Sequence, residues 1–188
     1  MKLNNRGMTL IEMIVAFAIL GVVSVSIFSM MLTATKTYTN LTSTVKLQYE
    51  AQLAMANIER HIMNCNDGIS WDAANDTLFI VNEEENNKKN LQVIYLKNGE
   101  LYYGENNLSD EGSATLTFYL LAEHVTDMNM TLTPSGSNET KQVQLELTLE
   151  RNNKTYTGQK TIALRNKPSG KYVCTLSGTS GTVSAPAG

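Results

Sequence analysis

The sequence predicts an α+β protein: one long N-terminal helix packed on an antiparallel β-sheet domain. Three observations carry this. Met13–Leu32 is a charge-free apolar run of twenty residues. From Leu47 the apolar residues then step by three and four through Ala51, Met55, Ile58, Ile62 and Cys65, one face of a helix, and neither Gly nor Pro interrupts Ser24 to Asp67. Beyond Asp67 the pattern changes to short β-rich segments bounded by turn residues.

The first seven residues, Met-Lys-Leu-Asn-Asn-Arg-Gly, carry Lys2 and Arg6 and no acid. A positive segment ahead of an apolar run stays on the cytoplasmic side, so the rest of the chain is expected to face outward. At 1.5 Å per residue the run makes about 30 Å of helix, enough to cross the hydrocarbon core. It is too long for the apolar region of an ordinary secretory signal. The helix is expected to continue to about Asn64, from about Thr9, with Asp67-Gly68 as its stop.

The expected strands are Thr77–Asn82, Leu91–Lys97, Glu100–Gly104, Ala114–Leu121, Asp127–Thr133, Gln142–Glu150 and Thr155–Leu164. Asn98-Gly99 lies between two of them and signals a two-residue hairpin. Asn82 to Asn90 is a polar connection. Val143, Leu145, Leu147 and Leu149 alternate with polar residues, the mark of a half-buried antiparallel strand. From Lys167 the composition turns to Pro, Ser, Gly and Thr, and Thr175 to Gly188 is expected to be loose unless Cys174 is tied down. No Leu-Pro-x-Thr-Gly wall-sorting motif occurs.

The formal charge of the 188 residues is −3, and fifteen of the eighteen acids lie between Asp67 and Glu150. After Glu150 come only bases: Arg151, Lys154, Lys160, Arg165, Lys167 and Lys171. A solvated face on the last strands accounts for them; a contact with a neighbouring subunit or an anionic polymer is the sharper alternative. The two cysteines, Cys65 and Cys174, form no CxxC or Cys/His cluster, so no metal centre is expected. In an exported body they are able to close one disulfide; two free thiols is the alternative.

Glu12 is out of place for a simple anchor, because a carboxylate at the edge of an apolar run is tolerated cheaply only near the headgroups. The stretch Arg6-Gly7-Met8-Thr9-Leu10-Ile11-Glu12, running directly into the apolar segment, resembles the leader and cleavage site of type IV pilins and type II secretion pseudopilins. In that family a dedicated membrane peptidase cuts after the Gly and methylates the new amine, and the fifth mature residue is Glu. The resemblance therefore implies cleavage between Gly7 and Met8, N-methylation of Met8, and an assembly role for Glu12. Met8 replaces the commoner Phe, and the kink-forming Pro is missing, the first Pro being Pro134. Gly21, Ser24, Ser26 and Ser29 are the residues able to loosen the helix instead.

The implied organisation is a prepilin leader at 1–7, a transmembrane and assembly half of the helix at 8–35, its soluble half at 36–66, a sheet domain at 67–167 and a Ser/Gly/Thr-rich tail at 168–188. The implied partners are the prepilin peptidase, other pilin or pseudopilin subunits, an inner assembly platform and the membrane. The implied location is the cytoplasmic membrane, with the body outside, and then a surface filament. Cleavage removes the +2 of Lys2 and Arg6 and takes the side-chain charge from −3 to −5. In a staggered bundle the Glu12 of one subunit approaches the Met8 amine of its neighbour, which favours one axial register. Leu120-Leu121-Ala122-Glu123-His124-Val125, with the later strand pair ending at Leu164-Arg165-Asn166, is also similar to the larger minor pseudopilins.

No enzyme is expected. His61 and His124 are the only histidines, neither has a nucleophile or acid at motif spacing, and there is no phosphate loop or nucleophile elbow. No cofactor is implied. Asp110-Glu111-Gly112-Ser113 offers oxygens to Ca²⁺, but a solvated turn is the favoured reading. The reading is a minor pilin or pseudopilin of a pilus, secretion or competence system. Its alternatives are a DNA-uptake pilin, which the net negative charge disfavours, and a single-pass membrane-anchored surface protein.

Overall fold

The computed structural model describes residues 9–84, 88–133, 139–168 and 172–184. Helix α1 spans Leu10–Met63. Among the described residues eleven strands follow: β1 Gly68–Asp72, β2 Thr77–Glu83, β3 Lys89–Lys97, β4 Glu100–Asn107, β5 Ser113–Thr115, β6 Thr117–Ala122, β7 Val125–Thr133, β8 Gln142–Arg151, β9 Lys154–Ala163, β10 Val173–Ser177 and β11 Ser180–Ser184. The α+β expectation holds. The chain divides into two compact units, Met1–Ser43 and Thr44–Gly188.

In the first unit, residues 9–41 of the helix are exposed throughout. This is the one described helix long and apolar enough to cross a membrane, and none of its apolar window is buried within the chain. Its few polar side chains are satisfied locally. Ser24 Oγ donates to the Leu20 carbonyl at 2.7 Å and Ser26 Oγ to that of Val22 at 3.0 Å. Ser29, Thr33 and Thr35 bond back in the same way. Hydroxyls folded onto their own helix present no unsatisfied donor to lipid.

In the second unit the helix buries Leu47, Ala51, Ala54, Met55, Ile58 and Ile62. They join one apolar cluster with Leu78, Ile80, Ile94 and Leu101 of a five-stranded sheet ordered β1-β2-β3-β4-β6. The same cluster takes Met128, Leu145, Leu147 and Ile162 from a three-stranded sheet ordered β7-β8-β9. All of the strand pairings are antiparallel. Strand β2 is buried on both faces: Leu78 and Ile80 face the helix, whereas Phe79 and Val81 enter a second cluster with Leu91, Val93, Ala114, Leu116 and Cys174. That is why Leu78-Phe79-Ile80-Val81 reads as a continuous apolar run rather than an alternating one.

The Asn98-Gly99 hairpin forms as expected, with both residues at positive φ (53° and 81°), the geometry of a type I′ turn. The expected Ala114–Leu121 strand is instead two. Leu116 gives its N–H to the Thr179 carbonyl at 2.8 Å, and on either side of it the chain belongs to different sheets. Strand β1 was not expected.

Most of the segment from Val173 onward is ordered rather than loose. Strands β10 and β11 form a hairpin that pairs with β5 to make the third sheet, ordered β10-β11-β5. A Cβ on Gly181 would stand 2.6 Å from Leu91 Cδ2, so any larger residue would have to push the buried Leu91 side chain aside. Tyr172 fixes the entry to the hairpin: its hydroxyl donates to Asp67 Oδ2 at 2.7 Å, and Lys89 Nζ lies 2.8 Å from the same carboxylate.

The disulfide weighed for Cys65 and Cys174 is not present; both are buried free thiols. They occupy different apolar clusters, Cys65 with the helix and Cys174 beneath the third sheet. Cys65 Sγ donates to the Gly68 carbonyl at 3.2 Å. Burial pushes each thiol up to about 12 from 9.0. The thiolate is the reactive species, so neither should react with iodoacetamide near neutral pH in the folded chain, and both should react in guanidinium. Rapid alkylation of either without denaturant would contradict this burial. Raised folded values also mean that the unfolded chain ionises first, so stability should fall as pH rises above 9.0.

Candidate functional site

At the start of α1, Thr9 is the N-cap and Glu12 the third helical residue. The Thr9 N–H donates to Glu12 Oε2 at 2.8 Å, and Thr9 Oγ1 donates to the same oxygen at 2.9 Å. The Glu12 N–H returns to Thr9 Oγ1 at 3.4 Å. This is a capping box, in which side chain and backbone satisfy each other reciprocally. It requires Thr and Glu three apart, and the sequence supplies them at the edge of the apolar run. Glu12 is therefore not merely a charge near the headgroups; its carboxylate is already oriented along the helix start. Gly7 and Met8 lie outside the described residues.

The histidines have different settings. His61 stacks on Tyr103, with ring centroids 4.3 Å apart, and its Nδ1 lies 3.2 Å from Gln92 Oε1. Burial holds its pKa below the ordinary histidine value. His124 occupies the two-residue link between β6 and β7, and its Nδ1 lies 3.8 Å from Glu50 Oε1. With Glu123 these residues form a group whose ligand atoms all lie within 4.8 Å of one another. Sequence reasoning missed this grouping, because Glu50 belongs to a distant helix and only Glu123 adjoins His124. No spacing signal existed to find it.

The Asp110–Ser113 turn is closed by bonds to Ser109. Ser109 Oγ and Ser113 Oγ lie 2.9 Å apart, and the Gly112 N–H donates to the Ser109 carbonyl at 2.9 Å. Several late bases are likewise engaged. Lys160 Nζ pairs with Glu59 Oε2 at 2.6 Å, Lys154 Nζ donates to Thr44 Oγ1 at 3.1 Å, and Lys167 Nζ lies 3.7 Å from Glu139. The first two clamp β9 to α1, which favours the plainer reading of these charges.

A family model described as the prokaryotic N-terminal methylation motif matches residues 2–28. That span takes in Gly7, Met8, the Thr9–Glu12 capping box and most of the apolar run. No curated protein matches the chain. The motif and the long apolar helix together fit a type IV prepilin-like protein. The motif marks a pilin-type structural subunit, not a known enzyme family. It implies processing by prepilin peptidase and assembly with other pilin subunits, on a membrane-anchored chain.

Proposed function

We propose that this chain is a minor pilin or pseudopilin subunit. It is cut between Gly7 and Met8, methylated on the Met8 amine, and assembled through its N-terminal helix into a type IV-like pilus or a secretion or competence pseudopilus. The observation that carries the reading is the methylation-motif match running straight into an exposed helix that starts with the Thr9–Glu12 capping box. Before cleavage Lys2 and Arg6 hold the leader on the cytoplasmic side. Cleavage removes both and leaves one cationic amine a helical turn from Glu12. The helix then extracts from lipid into a bundle of its own kind, where its apolar surface remains covered. Residues 44–184 supply the exterior body.

A DNA-uptake role would need a basic surface. The side chains of Lys154, Lys160 and Lys167 face Thr44, Glu59 and Glu139 instead.

The intact mass and N-terminal sequence of the chain, expressed with and without an active prepilin peptidase, test the proposal. The expected product starts at Met8, carries one added methyl group and appears only with the peptidase. A chain that retains Lys2 and Arg6 beside an active peptidase would reduce the reading to a single-pass membrane-anchored surface protein.

A further inference from the structure

We propose that Glu50, Glu123 and His124 form a binding site for a divalent transition metal, with Zn²⁺ the ion that fits best. The three come from separate elements of the exterior body: Glu50 from α1, and Glu123 and His124 from the link between Ala122 of β6 and Val125 of β7. This inference is independent of the filament reading.

The backbone at His124 is held in an uncommon conformation. Its φ is +61°, a region that non-glycine residues seldom adopt. Hydrogen bonds hold it there from both sides. The Glu150 N–H donates to the His124 carbonyl at 2.8 Å, and the Val125 N–H donates to the Gly99 carbonyl at 3.0 Å. These bonds fix the backbone from which the imidazole projects.

His124 Nδ1 is buried and has no hydrogen-bond partner. Its nearest counterpart, Glu50 Oε1, stands at 3.8 Å, beyond hydrogen-bond reach. A buried ring nitrogen facing a carboxylate at that separation is not a completed ion pair. Two ligands each about 2.0–2.1 Å from a shared ion stand roughly 3.3 Å apart in tetrahedral geometry. Small side-chain rotations bring the pair to that spacing, and Glu123 already lies in the same group.

The two carboxylates bring two formal negative charges to the imidazole, and a divalent cation offsets them. The cleft beside them is lined further by Glu100, Glu150, Asn98 and Thr126, with neither Lys nor Arg among its lining residues. The donor set selects among cations. Ca²⁺ and Mg²⁺ take six or more oxygens, whereas one imidazole with two carboxylates suits Zn²⁺ and its transition-metal neighbours. Bound there, the ion would tie α1 to the β6–β7 link.

The untagged full chain in detergent micelles, stripped with a chelator, is titrated with Zn²⁺ against a chromogenic indicator, and its thermal unfolding is followed with and without Zn²⁺. The expected result is uptake of one Zn²⁺ per chain, a rise in Tm, and no competition from Ca²⁺ or Mg²⁺ at the same concentration. Glu50→Gln keeps the shape of the side chain and removes a ligand charge. His124→Asn keeps a residue that tolerates positive φ. Each is expected to weaken binding by about tenfold or more and to abolish the Tm rise. Absence of Zn²⁺ uptake by the wild-type chain overturns the proposal, as does uptake by both variants at wild-type affinity. Should His124→Asn lose its native circular dichroism, Glu50→Gln decides alone.

Discussion

Glu12→Ala is expected to leave membrane insertion intact and to remove the chain from filaments. Insertion depends on the charge-free run from Met13 and on the basic residues ahead of it, and neither changes. Two functions of Glu12 are lost together. One lies within the chain: Glu12 Oε2 no longer accepts from the Thr9 N–H and hydroxyl. Loss of such a cap shifts an equilibrium by only about two- to thirtyfold. The other function, on the proposed reading, lies between chains, where the carboxylate meets the Met8 amine of a neighbour away from water. Removing one member of a desolvated pair strands the other charge, and assembly should fall by about a hundredfold or more.

Glu12→Gln separates the two. Gln at this position still completes a capping box, but it carries no charge. If pairing governs assembly, Gln fails as Ala does; if capping governs it, Gln assembles and Ala does not. The measurement is the amount of each variant in the sheared-filament fraction relative to the membrane fraction. Normal incorporation of Glu12→Gln would remove charge pairing from the account.

Much of this was legible in the sequence, and the reasons are local. The helix could be read because an uninterrupted apolar run and a three-four stepping of apolar residues point the same way, and it ends at Met63 within one residue of expectation. Strand β8 could be read because Val143, Leu145, Leu147 and Leu149 are all buried on one face. The third sheet could not. Val173–Ser184 is mostly Ser, Thr and Gly, and its stability comes from pairing with β5 and from the glycine contact with Leu91, neither of which is encoded nearby. The switch at Leu116 was hidden for a similar reason: alternation says which face a residue takes, not which sheet it joins. The motif site was legible because it is contiguous. The Glu50, Glu123 and His124 group was not, because it exists only after α1 packs beside β6 and β7.

That packing is the basis of the second large effect. Ile58→Ala is expected to destabilise the exterior body by about 2–5 kcal/mol, the usual cost of truncating a fully buried Ile. Ile58 is fully buried, in the cluster shared by the helix and two sheets. Ala51 and Ala54 on the same helix are fully buried as well, so close-packed surroundings fill the void only in part. For a body of this size the Tm should fall by roughly 4–20 °C. Ile58→Val should cost only about 0.5–1.5 kcal/mol. The contrast lies one residue away. Glu59 faces outward to Lys160 at 2.6 Å, with both side chains partly exposed. An ion pair in that setting is worth about 0–1 kcal/mol, so Glu59→Gln should barely move the transition. Near-ultraviolet circular dichroism on heating, which reports Trp71 and the tyrosines, reads all three variants. If Ile58→Ala were no more harmful than Glu59→Gln, burial of the α1 face would not be what holds the sheets together. Clamping by Lys154 and Lys160 would then be the stronger attachment.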